Sequence, residues 1–197
     1  MTTPTSNLAA RFILLCEARR DTKDADHDGN TAELVVYKLP RSDGGGTYEI
    51  AGINDRFHPD LAAKLKRLLD DNKDVEAEEA AVNYIAEFTN AAGWSSIPAI
   101  EVFLRDCCFN RGPRGAARIL QLALGVADDG TVGPKTRGAL QKVEATVQSQ
   151  QKFIVALRQA RETYERKVAP PIGERAKFWK GLVNRWDSAA NYAESLV

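Results

Sequence analysis

Glu17, Asp43, Thr47 and Glu49 fall within one short stretch near the start of the chain, and their types suit chemistry that needs two carboxyl groups. Glu17 closes an apolar segment with helical spacing. A carboxyl at a helix C-terminus meets the negative pole of the helix dipole, and partial burial would hold its proton more tightly still. Such a group can act as a general acid towards a glycosidic oxygen, while a second carboxylate steadies the developing positive charge or activates water. Asp43 and Glu49 are the candidates for that second role, with Thr47 positioning it. The run Asp43-Gly44-Gly45-Gly46 would let backbone approach a sugar closely. Arg19 and Arg20 pull the Glu17 carboxyl the other way, towards ionisation. Tyr48, His58 and Asn110 are further candidates for substrate contact.

These side chains need elements to hold them. Leu8, Phe12 and Leu15 predict a helix over residues 7–19, with Thr5 or Ser6 as its N-cap. The β-branched and aromatic run from Glu33 to Leu39 predicts a strand, and Thr47 to Ala51 the returning strand of a β-hairpin. Leu61, Leu65 and Leu68 mark a helix, and Ala77 to Phe88 another. Ile97 to Phe109 and Arg114 to Leu124 read as two helices, separated by the corner Asn110-Arg111-Gly112-Pro113. Pro134 to Lys167 reads as one long helix or two with a bend, and Phe178 to Tyr192 as the last. The fold class expected is α+β and mostly α, with the N-terminal helix and hairpin packed on a helical bundle. A catalytic lobe over residues 1–95 and a helical lobe over residues 96–197 are expected to form one compact unit.

Bulk composition narrows the function classes. The 197 residues are 44% hydrophobic and 27% charged, ordinary for a globular protein. Twenty-seven basic residues balance twenty-seven acidic ones, so no net field points to nucleic acid. The apolar stretch near the N-terminus is too short to span a membrane and lacks the basic flank of a signal peptide. Cytoplasmic synthesis without membrane insertion is the expectation. Cys16, Cys107 and Cys108 make no disulfide framework, and His27 and His58 are too few for a zinc site, so neither metal nor cofactor is expected. Asp24, Asp26 and Asp28 imitate the start of a calcium loop. Val35 stands where the closing Glu should be, which leaves a solvated acidic turn as the better reading. Trp94, Trp179 and Trp186 suit core packing first and sugar stacking second.

Three strings in the second half are more specific: Phe103-Leu-Arg-Asp-Cys-Cys-Phe-Asn110-Arg-Gly-Pro, then Ala116-Ala-Arg-Ile-Leu-Gln121, then Asp129-Gly-Thr-Val-Gly-Pro-Lys-Thr136. With Phe178-Trp-Lys-Gly-Leu-Val-Asn184-Arg-Trp, and with Glu17, Asp43-Gly-Gly-Gly-Thr47 and Gly52-Ile53, they make the chain resemble glycoside hydrolase family 108. These are N-acetylmuramidases of the secretion-activator and phage-endolysin type, with a C-terminal peptidoglycan-binding-type region. Two departures stand out. Ala18-Arg19-Arg20 replaces the glycines that follow the family's catalytic Glu, and the spacing to Asp43 is longer. Anchoring the alignment on the glycines sets Thr47 at the family's Thr, whereas anchoring it on Gly52-Ile53 sets Glu49 there. The second catalytic group stays open among Asp43, Thr47 and Glu49.

The resemblance implies a lysozyme-like fold and hydrolysis of the β-1,4 bond between N-acetylmuramic acid and N-acetylglucosamine. Peptidoglycan strands would be the partner, and no cofactor would be needed. It implies action at the cell wall or periplasm, reached through a holin, a dedicated secretion system or phage lysis. The alternatives are a lytic transglycosylase on the same substrate and a non-catalytic wall-binding or phage structural protein.

Overall fold

The computed structural model describes residues 3–18, 34–39, 46–173 and 175–197. Asp43, the acidic run from Asp24 to Asp28, and Arg19 with Arg20 lie outside them. The chain forms two compact units, Ala10–Ile85 on one hand and Met1–Ala9 with Ala86–Val197 on the other. Among the described residues, no helix is long and apolar enough to cross a membrane.

The first unit is built around three short strands. Helix α1 runs Pro4–Glu17 and buries Ala10, Phe12, Ile13 and Leu14 in or near its later turns. Strands β1 (Tyr37–Lys38), β2 (Tyr48–Ile50) and β3 (Ile53–Asn54) form one antiparallel sheet in that order. The sheet has one strand more than the sequence predicts. Ala51 and Gly52 both take positive φ, 50° and 77°, which makes a two-residue turn of the I′ kind and pairs Ile50 with Ile53. Ile50 and Ile53 are buried, and helix α2 (Pro59–Asp70) packs on β2 and β3. Full burial of each isoleucine contributes about 1.5–3 kcal/mol. Pro59 starts α2 where a missing N–H costs nothing, and Ala62 and Leu65 form its inward face. Helix α3 (Asp74–Phe88) follows, opened by Asp74 and Glu76 at its positive pole.

The second unit is helical. After a 3-10 turn at Thr89–Ala92, helix α4 runs Pro98–Leu124. The predicted break at Asn110–Pro113 is present, as a kink at which two helical segments of α4 meet. Gly112 takes φ 66° and ψ 173°, a conformation almost reserved for glycine, and Pro113 restarts the helix as a first-turn residue. The long stretch predicted from Pro134 divides into α5 (Pro134–Glu144) and α6 (Val147–Val168). Thr146 caps α6, its Oγ1 accepting from the Ser149 N–H at 3.2 Å. Helix α7 (Arg175–Glu194) packs against α4 and α6. Phe103, Leu104, Ile119, Leu120, Ile154, Leu157 and Trp186 are all buried here.

This core also holds charge. Glu165, with 1% of its side chain exposed, pairs with Arg111 from α4, Arg161 one turn before it on α6 at 3.1 Å, and Arg175 from α7 at 2.8 Å. Asp106 pairs with Arg185 at 2.7 Å. Arg105 is also buried, giving its Nε proton to Glu101 at 2.7 Å and Nη1 protons to the Ala86 carbonyl and Thr89 Oγ1, both at 3.2 Å. Buried charges persist when each faces an opposite charge, and these ion pairs tie α4, α6 and α7 together.

Candidate functional site

Glu17 is the last residue of α1, half-buried between buried Leu14 and buried Ala18. The last turn of α1 carries no basic residue. The helix end therefore sets its negative pole against this carboxyl, as the sequence predicts. Glu49 lies in the centre of β2, opposite Tyr37 on one side and Asn54 on the other. Side chains alternate along a strand, so Glu49 projects from the face opposite buried Ile50. Glu17 and Glu49 thus both belong to the smaller unit, and both are half-buried.

Thr47 is engaged by Asp55, a residue the sequence reading did not single out. The Asp55 carboxylate accepts from the Thr47 N–H at 2.7 Å, the Thr47 hydroxyl at 2.5 Å and the Tyr48 N–H at 3.3 Å. The Thr47 hydroxyl, first among these, holds the Asp55 carboxyl below its ordinary range. A Cβ on Gly46 would lie 2.1 Å from Asp55 Oδ1, so the last residue of the glycine run has to be glycine for this latch to close. A turn centred on Ala51-Gly52 sets Asp55 beside Tyr48, where its N–H donates to the Tyr48 carbonyl at 3.1 Å.

The other predicted contacts separate. His58 precedes α2, and its Nε2 lies 2.9 Å from the Tyr84 hydroxyl, with the two rings edge to face at 5.0 Å. His58 belongs to the unit of Glu17 and Glu49. Asn110 lies in the other unit, where its side-chain amide donates to the Asp106 carbonyl at 3.0 Å, one turn back along α4. Of the tryptophans, Trp186 is buried and Trp179 half-buried, edge to face at 5.3 Å, with Arg166 over Trp179 at 4.9 Å. Among the described residues, no group of three or more His, Cys, Asp or Glu side chains could hold a metal ion.

In the helical unit, two of the strings noted in the sequence meet in space. Gln121, 1% exposed near the end of α4, gives its amide protons to Asp129 Oδ1 at 2.7 Å and the Thr131 carbonyl at 3.0 Å. Its amide oxygen accepts from the Gly130 N–H at 2.8 Å. One side chain therefore moulds the whole turn before α5. The Gln121 bond, and next the Thr131 N–H, keep the Asp129 carboxyl below its usual range. Gly130 has φ 82°, and a Cβ there would meet Arg114 Cγ at 2.7 Å. The spacing between Gln121 and the Asp-Gly pair is thus a structural requirement.

Comparison with known proteins fits this geometry. Residues 115–187 match a family model described as "Predicted Peptidoglycan domain". That stretch contains Gln121, its turn, α5, α6 and most of α7. A solved structure of SagA from Brucella abortus superposes with a TM-score of 0.56 at 22% identity, covering 82% of this chain and 86% of that one. The fold is α+β, mostly α and lysozyme-like. The C-terminal region is peptidoglycan-related by sequence. A search of curated proteins finds no match.

Proposed function

We propose that the protein is a muramidase of the glycoside hydrolase family 108 type, cutting the β-1,4 bond between N-acetylmuramic acid and N-acetylglucosamine. The observation that carries this reading is the position of Glu17: a half-buried carboxyl on the terminal residue of α1, within the same compact unit as the three-stranded sheet. The peptidoglycan match over residues 115–187 supports the choice of substrate. In this scheme residues 1–95 carry the chemistry and residues 96–197 hold the wall.

Glu17 gives its proton to the leaving glycosidic oxygen. A second carboxylate, Glu49 or Asp43, stabilises the oxocarbenium-like transition state or activates water. Thr47 is fixed by Asp55, so its part is to set the strand that carries Glu49. The protein works at the cell wall, reached through a holin, a dedicated secretion system or lysis.

Purified sacculi test the assignment. Glu17→Gln lowers the rate of turbidity loss by about 10²–10⁴-fold, the share general-acid catalysis normally supplies. A variant that clears sacculi at the parent rate refutes it. Mass spectrometry of the products reads the reaction: reducing muramic ends mean hydrolysis, and 1,6-anhydro ends mean a lytic transglycosylase. Binding with no muropeptide released by the parent protein would make it a wall-binding protein, a reading favoured by Ala18-Arg19-Arg20 after Glu17.

A further inference from the structure

Where the end of α4 meets α5, the helical unit has an open cleft of about 560 Å³. Its floor is Ala123, Leu124, Gly138, Ala139 and Val143, and Lys135 and Lys142 stand on its rim. Lys142 comes seven positions after Lys135 along α5, which sets the two about 10 Å apart on one helix face. Gly138 has no Cβ, and one built there would meet nothing within 4 Å, so this residue opens the cleft. The Gln121-bound turn fixes the backbone leading into α5.

Resting on the peptidoglycan reading above, we propose that this cleft binds the stem peptide of peptidoglycan and not its sugars. Sugar rings are usually held on aromatic faces, and among the described residues no aromatic side chain lines the cleft. A stem peptide offers what the lining complements: alanine methyl groups for a floor of small aliphatic residues, and carboxylates for two ammonium groups. Lys135 and Lys142 are both exposed, and neither is tied into an ion pair or hydrogen bond within the described residues. The cleft lies inside the stretch that matches the peptidoglycan family model.

The test uses the full chain carrying Glu17→Gln, so that binding is read without cleavage. Co-sedimentation is measured with intact sacculi and with sacculi whose stem peptides have been removed by an amidase. Intact sacculi are expected to bind at least tenfold more tightly than stripped ones. Lys135→Glu with Lys142→Glu should bring intact sacculi down to the stripped level. Gly138→Leu blocks the floor while favouring the helix, so it should lose binding with its melting temperature unchanged or raised. Equal binding of intact and stripped sacculi, or parental binding by a folded Gly138→Leu protein, overturns the cleft assignment and leaves the muramidase reading standing. Binding of neither kind of sacculus overturns both.

Discussion

Asp55 and Glu165 each gather three partners, and the two regions differ in how. Asp55 holds two N–H groups and a hydroxyl from neighbouring Thr47 and Tyr48, at the surface of a small sheet. Glu165 holds three guanidinium groups from three helices, in the interior. Losing the first frees one turn of chain to solvent. Losing the second strands cations that cannot all reach water. The region proposed for chemistry is thus set by local, replaceable bonds, and the region proposed for wall binding by long-range ones.

The largest expected effect is therefore at Glu165. Glu165→Gln should destabilise the protein by about 3 kcal/mol, somewhat reduced because Arg111 and Arg175 are partly exposed. Chemical denaturation followed by circular dichroism measures it. A loss under about 1 kcal/mol, typical of a surface pair, would erase the contrast between the regions.

Gly112→Ala comes next, at about 1–3 kcal/mol, because alanine must enter a backbone conformation almost unique to glycine. A Cβ there meets nothing within 4 Å, so the whole cost is conformational and Gly112→Asn should not exceed it much. Thermal melts of the two variants check this. A neutral Gly112→Ala would mean that α4 straightens without penalty.

In the sheet, the expected change is a gain. Ala51 at φ 50° pays for a left-handed conformation, and Ala51→Asn should stabilise by up to about 1 kcal/mol, since Asn-Gly is the favoured pair for this turn. Denaturation midpoints decide it.

The smallest effect is local and depends on pH. The Asp55 carboxyl is held below its ordinary value of 3.8. Its contribution is present above the unfolded-state value and disappears as pH falls through the folded one. Amide exchange at Thr47 and Tyr48 should lose protection in that acid window, and at neutral pH in Asp55→Asn, while α4 and α6 amides stay protected. Equal loss in both regions would show that they open together.

The sequence displayed its helices through spacing and prolines: Leu61, Leu65 and Leu68 for α2, Pro98 for α4, Pro134 for α5. It hid what depends on backbone dihedrals. The corner at Asn110–Pro113 was legible as a break because Gly and Pro usually end helices, but the Gly112 dihedral that joins the two helical segments in a kink was not. Strand β3 escaped because two residues are too few for a pattern, and the Ala51-Gly52 turn that implies it lacks the usual Asn. The Glu165 cluster could not be read at all, since Arg111 lies 54 positions away and pairing at that range leaves no local trace. For the candidate site, Glu17 was legible as a helix-terminal carboxyl, and Asp55 was not, because its role follows from strand register.

Gln121 grips the turn at 129–131 from below, so the backbone around the cleft owes little to the side chains at 135, 138 and 142. Those three positions can vary without disturbing the scaffold. Related chains could keep the glutamine and the glycine, exchange the rim, and so retune recognition for cell walls of different chemistry on an inherited frame.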